Sequence, residues 1–159
     1  MFCRNVQKWI YKLDHDYTWN CGRSIGEDTL FRDQKGKVRV VLKKDGDIRI
    51  TAGYAWDGCS PKLCVLDVLI GIPDGAVDSG SGKPKTYYAT LVHDALYQFR
   101  PKGIPFTRKE IDQFFFRLMA ETGFALRHIY YMAVRLFGSH AHWLSVNFGK
   151  KRMTAKADN

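Results

Sequence analysis

The sequence predicts an α+β protein in which a small N-terminal antiparallel β-hairpin or sheet packs on a C-terminal bundle of about three helices. The 159 residues are 45% hydrophobic and 14% aromatic, which is enough for the core of one domain. β-Branched, alternating segments precede the helical apolar stripes along the chain. We therefore expect a single domain over 1–159 that is strand-rich at 1–60, helix-rich at 84–148 and loose in the basic tail at 149–159.

Two adjacent segments predict a β-hairpin. Val38 to Lys44 is rich in β-branched residues, Asp45-Gly46 follows, and Asp47 to Ala55 predicts the returning strand. Asp-Gly favours a type I′ turn, which needs positive φ at both central positions, so a two-residue loop is expected here. The earlier segment from Trp9 to Trp19 is compatible with another strand or with a short helix.

Helical spacing of apolar residues predicts the second half of the fold. The expected helices run over Thr86–Arg100, between Thr107 and Gly123, and from about Leu126 to Phe137. Thr107 and Glu110 have the spacing of a capping box, in which each side chain bonds the other's backbone N–H. Gly123 is expected at the C′ position that ends the second helix.

Charge and cysteine usage restrict the class of protein without choosing a partner. The net charge of +9 favours nucleic acid, an anionic membrane surface or an acidic partner, and a merely solvated basic surface is an equal alternative. The four cysteines lack zinc-site spacing, so free thiols in a reducing compartment are expected. We expect neither a signal peptide nor a membrane-spanning helix, since the longest apolar run is broken by Asp67 and Gly71.

The helical hairpin from Tyr87 to Gly123 carries the main candidate site. His93 and Tyr97 share one face of the first helix, whereas Asp94 points about a quarter-turn away. If the two helices pack antiparallel, Asp112 comes opposite His93 and accepts a hydrogen bond from one ring nitrogen, while Tyr97 donates to the same carboxylate. The other ring nitrogen is then available as a general base or ligand. Alternatively, the cluster only fastens the helices together.

A second candidate cluster follows the hairpin, in the segment Gly53 to Pro61. Asp57, Ser60 and backbone carbonyls offer oxygen ligands for a hard cation. The alternative is a turn that leaves the sheet, with Asp57 in an Asx-turn and Trp56 covering the core. Cys59 would be reactive only beside His93. The remaining candidate histidines, expected at the surface or in packing, are His128, His140 and His142.

Four motifs in a fixed order resemble a family of phage and prophage proteins known as domain of unknown function 1353. The motifs are D-G-D-I-R-I-T-A-G-Y-A-W-D-G-C-S-P, L-V-H-D-A-L-Y, F-T-R-K-E-I-D-Q-F-F and I-Y-Y-M-A-V-R, within Asp45 to Trp143. The resemblance implies a phage or prophage source, and a place in the host cytoplasm or the virion. It also implies other phage structural proteins or a host factor as partners, and it implies no known activity.

The helical hairpin also resembles the helix pair of phospholipase A2, which carries H-D-x-x-Y on one helix and an Asp on its partner. The resemblance implies that His93 is the base that activates water, that Asp112 orients His93 and that Tyr97 holds Asp112. It implies Ca²⁺ as a cofactor bound by Asp94. The glycine-rich calcium loop of that superfamily does not precede His93, so the turn at Asp57 is the expected second source of ligands.

Three functions remain open on the sequence. The first is a His/Asp hydrolase, with or without calcium, that acts on an ester or a lipid. The second is a non-enzymatic virion, tail or assembly component in which the His93 cluster is structural. The third is a host-directed accessory protein that binds a host factor or a nucleotide. The basic charge is the one sequence feature that favours it, since the chain has neither a P-loop nor a dinucleotide fingerprint.

Overall fold

Two small antiparallel sheets precede three helices in the computed structural model, which describes residues 11–56, 58 and 77–136. The strands are β1 (Tyr11–Lys12), β2 (Tyr17–Asn20), β3 (Thr29–Arg32), β4 (Val38–Leu42), β5 (Asp47–Ile50) and β6 (Ala55–Trp56). The helices are α1 (Tyr87–Phe99), α2 (Arg108–Glu121) and α3, which begins at residue 127 and is described as far as residue 136. The predicted α+β class is confirmed.

The larger sheet has the strand order β2-β5-β4-β3, and the smaller one pairs β1 with β6. Trp19 of β2 and Leu42 of β4 both pair with Ile48 of β5. Because side chains alternate along a strand, these three residues share one face, and all three are buried. Arg49, the next residue of β5, lies on the opposite face and is exposed. The sheet is therefore covered on its apolar face by the helices.

The hairpin between β4 and β5 forms as expected, but the predicted type I′ turn is wrong. The Gly46 N–H donates to the Lys43 carbonyl at 2.9 Å, and the Lys43 N–H donates to the Asp47 carbonyl at 2.8 Å. Gly46 has a φ of +99°, whereas Asp45 does not have a positive φ. This pattern is a three-residue loop with a glycine bulge. A Cβ on Gly46 would clash with the Arg23 carbonyl, so the position requires glycine.

The returning strand is shorter than the sequence suggested. β5 ends at Ile50 instead of continuing to Ala55, because a turn through Gly53, with a φ of +78°, interrupts it. The chain then enters β6, which pairs with β1. The described part of the ambiguous segment from Trp9 to Trp19 forms strands, which rejects the helical alternative.

The termini of α1 and α2 follow the expected signals. The predicted end of α1 is confirmed: the helix gives way to a single 3₁₀ turn at Arg100–Lys102. Thr107 caps α2, and its side chain and that of Glu110 form the predicted capping box. Gly123 has a φ of +65° and donates to the Ala120 carbonyl at 3.0 Å, which confirms its C′ role.

One cluster of buried side chains joins the sheets to all three helices, with Trp56, Phe99, Phe115 and Tyr130 among its largest members. Polar contacts reinforce the joint between sheet and helix. The Trp19 indole N–H donates to the Glu121 carboxylate at 3.1 Å, and Arg117 donates to the Cys21 carbonyl at 2.8 Å. In the part of the chain described, no helix has both the length and the apolar character that crossing a membrane requires.

Candidate functional site

The helices α1 and α2 bring together the three residues expected to form the centre of the site. His93 Nε2 lies 3.1 Å from Asp112 Oδ1, and the Tyr97 hydroxyl donates to the same oxygen at 2.7 Å. At the other end of the pair, the Thr122 hydroxyl donates to the Lys85 carbonyl at 2.8 Å, so the helices run antiparallel. The predicted approach of Asp112 to His93 and Tyr97 is confirmed.

The second oxygen of Asp112 is held by a residue that the sequence did not indicate. Arg135 on α3 donates from Nη1 to Asp112 Oδ2 at 2.9 Å, and Arg108 Nε lies 3.8 Å from that oxygen. The Asp112 side chain is fully buried, with a relative exposure of 0%. Since a buried carboxylate is tolerated only when it is paired and hydrogen-bonded, these donors explain how Asp112 occupies the core.

Arg108 connects the site to the end of the described part of α3. Its Nε donates to the Tyr97 hydroxyl at 3.1 Å, and its Nη2 donates to the carbonyls of Val134 at 2.9 Å and Arg135 at 2.8 Å. The Tyr97 hydroxyl thus accepts from Arg108 while it donates to Asp112. Three helices are joined through one continuous chain of hydrogen bonds.

The His93 ring is largely buried, between two aromatic rings and two carboxylates. Its centroid lies 4.5 Å from that of Tyr97 and 4.9 Å from that of Phe115, so the two aromatic rings fix its plane. On the other side, Nδ1 lies 3.6 Å from Asp94 Oδ1, and 14% of the His93 side chain is exposed. Asp94 therefore does not point away from the ring as predicted. It faces the nitrogen that Asp112 leaves available.

The surroundings shift the pKa values of both partners towards the ionised pair. Burial lowers the pKa of His93, but the carboxylates of Asp112 and Asp94 outweigh it and raise the pKa above its ordinary value. Burial raises the pKa of Asp112, and hydrogen bonds from His93, Tyr97 and Arg135 reverse this and hold it below the ordinary range. Burial, followed by the bond to Asp112, raises the pKa of Tyr97, so its hydroxyl keeps its proton.

This geometry defines the roles that the ring nitrogens can take. Ionised Asp112 can only accept, so Nε2 carries a proton whether His93 is neutral or charged. Protonation and deprotonation then take place at Nδ1, which lies on the side of Asp94. A histidine with a fixed Nε2–H and a reactive Nδ1 has the arrangement of a general base.

Arg108 and Arg135 are the members of the site that sequence reasoning missed. Arg108 lies four residues before Asp112, a spacing that places both on one helix face and was available as a signal. Arg135 has no comparable local signal, because it reaches Asp112 from another helix. A physical argument could still have indicated a partner: an aspartate among the apolar residues of α2 can be buried only if a cation pairs with it.

The second candidate cluster is described only in part. Asp57, Cys59 and Ser60 lie outside the described residues, as do His140 and His142. The expectation that Trp56 covers the core is confirmed, since it is fully buried and its indole N–H donates to the Thr90 hydroxyl at 3.2 Å. His128 is exposed on α3, with its ring centroid 4.9 Å from that of Phe116, as predicted for a surface or packing residue.

One of the two expected calcium ligands, Asp57, lies outside the described residues. Calcium is bound by six to eight oxygen ligands as a rule. Residues 11–56, 58 and 77–136 contain no group of three or more His, Cys, Asp or Glu side chains that could hold a metal ion. Asp94 lies beside His93, and its predicted companion Asp57 is outside these ranges. Calcium binding therefore stays a prediction from the sequence.

Comparison of the chain with protein-family models, with curated proteins and with solved structures gave no match.

Proposed function

We propose that the chain is a hydrolase of the His/Asp type, in which His93 activates water for attack on an ester of a lipid or of another acyl compound. The observation that carries the proposal is the asymmetry of the His93 ring. Its Nε2 is fixed 3.1 Å from a fully buried carboxylate, while its Nδ1 lies 3.6 Å from Asp94, whose side chain is 23% exposed. A ring held in this way keeps a proton on one nitrogen and can exchange a proton at the other.

The proposed reaction uses His93 as base and then as acid. Nδ1 takes a proton from water while the water oxygen forms a bond to the acyl carbon. Asp112, hydrogen-bonded at Nε2, stabilises the imidazolium that results. The imidazolium then returns the proton to the leaving alkoxide oxygen as the carbon–oxygen bond breaks, which gives a carboxylic acid and an alcohol. Arg135 acts on this step through Asp112, and Tyr97 acts through Asp112 and through its ring contact with His93, so both are positioning residues.

The test is an assay of lipid and generic esters with the wild-type chain, His93→Gln and His128→Gln. His128 is the matched control, because it is an exposed histidine that contacts a ring on α2. We expect at least one ester to be cleaved, a loss of about 100-fold or more in His93→Gln as for a general base, and no loss in His128→Gln. Equal rates in the wild-type chain and His93→Gln would refute the proposal.

A calcium arm of the same assay tests the predicted cofactor separately. The rate is measured with added Ca²⁺ and with a chelator, for the wild-type chain and for Asp94→Asn. If Asp94 ligates calcium, Ca²⁺ raises the wild-type rate and has no effect on Asp94→Asn. If the chelator does not change the rate, hydrolysis does not require calcium, and the hydrolase proposal is kept without this cofactor.

A second candidate function is favoured by a separate observation, the bonds that two arginines form between α3 and the cluster: the Arg135–Asp112 ion pair and the hydrogen bonds from Arg108 to carbonyls of α3. Arg108 and Arg135 give the cluster more links than orientation of one imidazole requires. In this candidate the chain is a non-enzymatic component of a phage particle, as the family resemblance suggests, and the cluster is structural. Mass spectrometry of purified particles tests it: the chain is then present in stoichiometric amount, and its absence excludes a virion role.

A further inference from the structure

A second group of charged side chains gathers at the turn between β5 and β6. Gly53 in this turn has a φ of +78°. A Cβ on Gly53 would lie 3.4 Å from Arg39 Nη1, 3.6 Å from Lys37 Nζ and 4.0 Å from Lys12 Cε. Three cationic side chains from β1, β4 and the residue before β4 therefore converge over a stretch of backbone that carries no side chain.

The acidic residues near this turn already have partners. Asp33 accepts from Arg39 Nε at 2.8 Å, and Asp16 accepts from the Ala52 N–H at 2.8 Å. Among the described residues, no carboxylate lies within ion-pair distance of Lys12 or Lys37. Within the described part of the chain, the ammonium groups of Lys12 and Lys37 thus have no carboxylate as an ion-pair partner.

The close approach of these cationic side chains around Gly53 is electrostatically unfavourable. Arg39 Nη1 and Lys37 Nζ lie 3.4 Å and 3.6 Å from the same point, so they are at most about 7 Å apart. Like charges at this separation are within one Debye length and repel each other. A solvated lysine has enough freedom to point elsewhere. Arg39 does not, because its Nε is bonded to Asp33 and its Nη1 donates to the Ala52 carbonyl at 3.3 Å. The guanidinium is therefore a fixed donor, to which the lysines add charge.

We propose that Lys12, Lys37 and Arg39 form a binding site above Gly53 for a phosphate group, carried either by a free phosphomonoester or by a lipid headgroup. A phosphomonoester carries nearly two negative charges and several acceptor oxygens, which match two ammonium groups and an oriented guanidinium. Because Gly53 carries no side chain, the three cationic side chains can gather close to its backbone. The site lies in the strand-rich half, so it does not depend on the reaction proposed for His93.

The first experiment titrates the ¹⁵N-labelled full chain with methyl phosphate and follows the Gly53 amide by NMR. We expect a saturable shift of this resonance. Lys37→Ala and Lys12→Ala are each expected to weaken binding about fivefold, as for a partly exposed charge pair, and Lys37→Arg to retain it. Lys109→Ala is the matched control, since Lys109 is an exposed lysine on α2, and it is expected to change binding by less than about twofold.

The second experiment identifies the source of the phosphate. Phosphatidylcholine vesicles with and without phosphatidic acid are sedimented with the wild-type chain and with Lys37→Ala. Co-sedimentation that requires both phosphatidic acid and Lys37 supports a lipid headgroup, whereas methyl phosphate binding without co-sedimentation supports a free phosphomonoester. The proposal is overturned if no probe gives a saturable shift at Gly53, or if Lys109→Ala weakens binding as much as Lys37→Ala.

Discussion

Two carboxylates flank the His93 ring, and they occupy opposite environments. Asp112 is fully buried and accepts from His93, Tyr97 and Arg135, whereas the Asp94 side chain is 23% exposed and lies 3.6 Å from Nδ1. The first carboxylate is part of the joint between three helices. The second adds charge beside the ring at the edge of solvent. The same residue type therefore joins helices on one side of the ring and adds a partly exposed charge on the other, and both carboxylates raise the pKa of His93.

The largest expected effect comes from Asp112→Asn. The substitution removes the charge that Arg135 and His93 share, and it presents an amide N–H₂ group to donors. We expect a loss of about 3 kcal/mol in the free energy of unfolding, because a buried ion pair loses one partner. The measurement is urea denaturation followed by circular dichroism.

The matched control for this prediction is Asp94→Asn, which makes the same chemical change on the partly exposed side of the ring. It is expected to cost less than about 1 kcal/mol. Similar losses in the two variants would contradict the comparison, since burial would then not distinguish the carboxylates.

A smaller loss is expected from Arg135→Met, which keeps much of the side-chain length and removes the charge. Asp112 retains His93 and Tyr97 as donors, and the Arg135 side chain is 34% exposed, so solvent screens its pairing. We expect a loss of about 1 kcal/mol. Without the guanidinium, the pKa of Asp112 rises, so acid unfolding begins at a higher pH.

Arg127→Met provides the control for Arg135→Met, because Arg127 also lies on α3 and its guanidinium is placed over the ring of Phe116 on α2. It does not pair with Asp112, and we expect the onset of acid unfolding to stay where it is in the wild-type chain. If both variants moved the onset equally, the effect would belong to the charge of α3 in general and not to the Asp112 pair.

The sequence predicted the position of Asp112 relative to His93, but not the orientation of Asp94. Helical periodicity and the capping box at Thr107 are local signals that predicted the two helices. The approach of Asp112 to His93 was predicted on the condition that these helices pack antiparallel. The orientation of Asp94 was predicted from spacing along an ideal helix, which neglects the freedom of a short side chain to turn towards its neighbour's ring. The role of Arg135 depends on how α3 packs, which no local pattern encodes. For the same reason, the glycine bulge at Gly46 escaped prediction, because the nearby Arg23 carbonyl is a tertiary contact.

The smallest expected effect is a change in how the stability of the fold depends on pH, and it distinguishes the Asp94 side of the His93 ring from the Asp112 side. The pKa of His93 is raised in the folded chain, so its contribution to stability is complete below about pH 6.5 and is lost as pH rises through the folded pKa. The pKa of Asp112 is lowered, so its contribution is complete above about pH 4 and is lost as pH falls through the folded pKa. The cluster is therefore expected to stabilise the fold most between these limits. Asp94→Asn removes one of the carboxylates that raise the pKa of His93, so the loss of stability on the alkaline side should be smaller and should be complete at a lower pH. NMR titration of the His93 ring protons, beside urea denaturation at each pH, measures both quantities. An unchanged His93 titration in Asp94→Asn would mean that Asp112 alone sets the protonation of the ring.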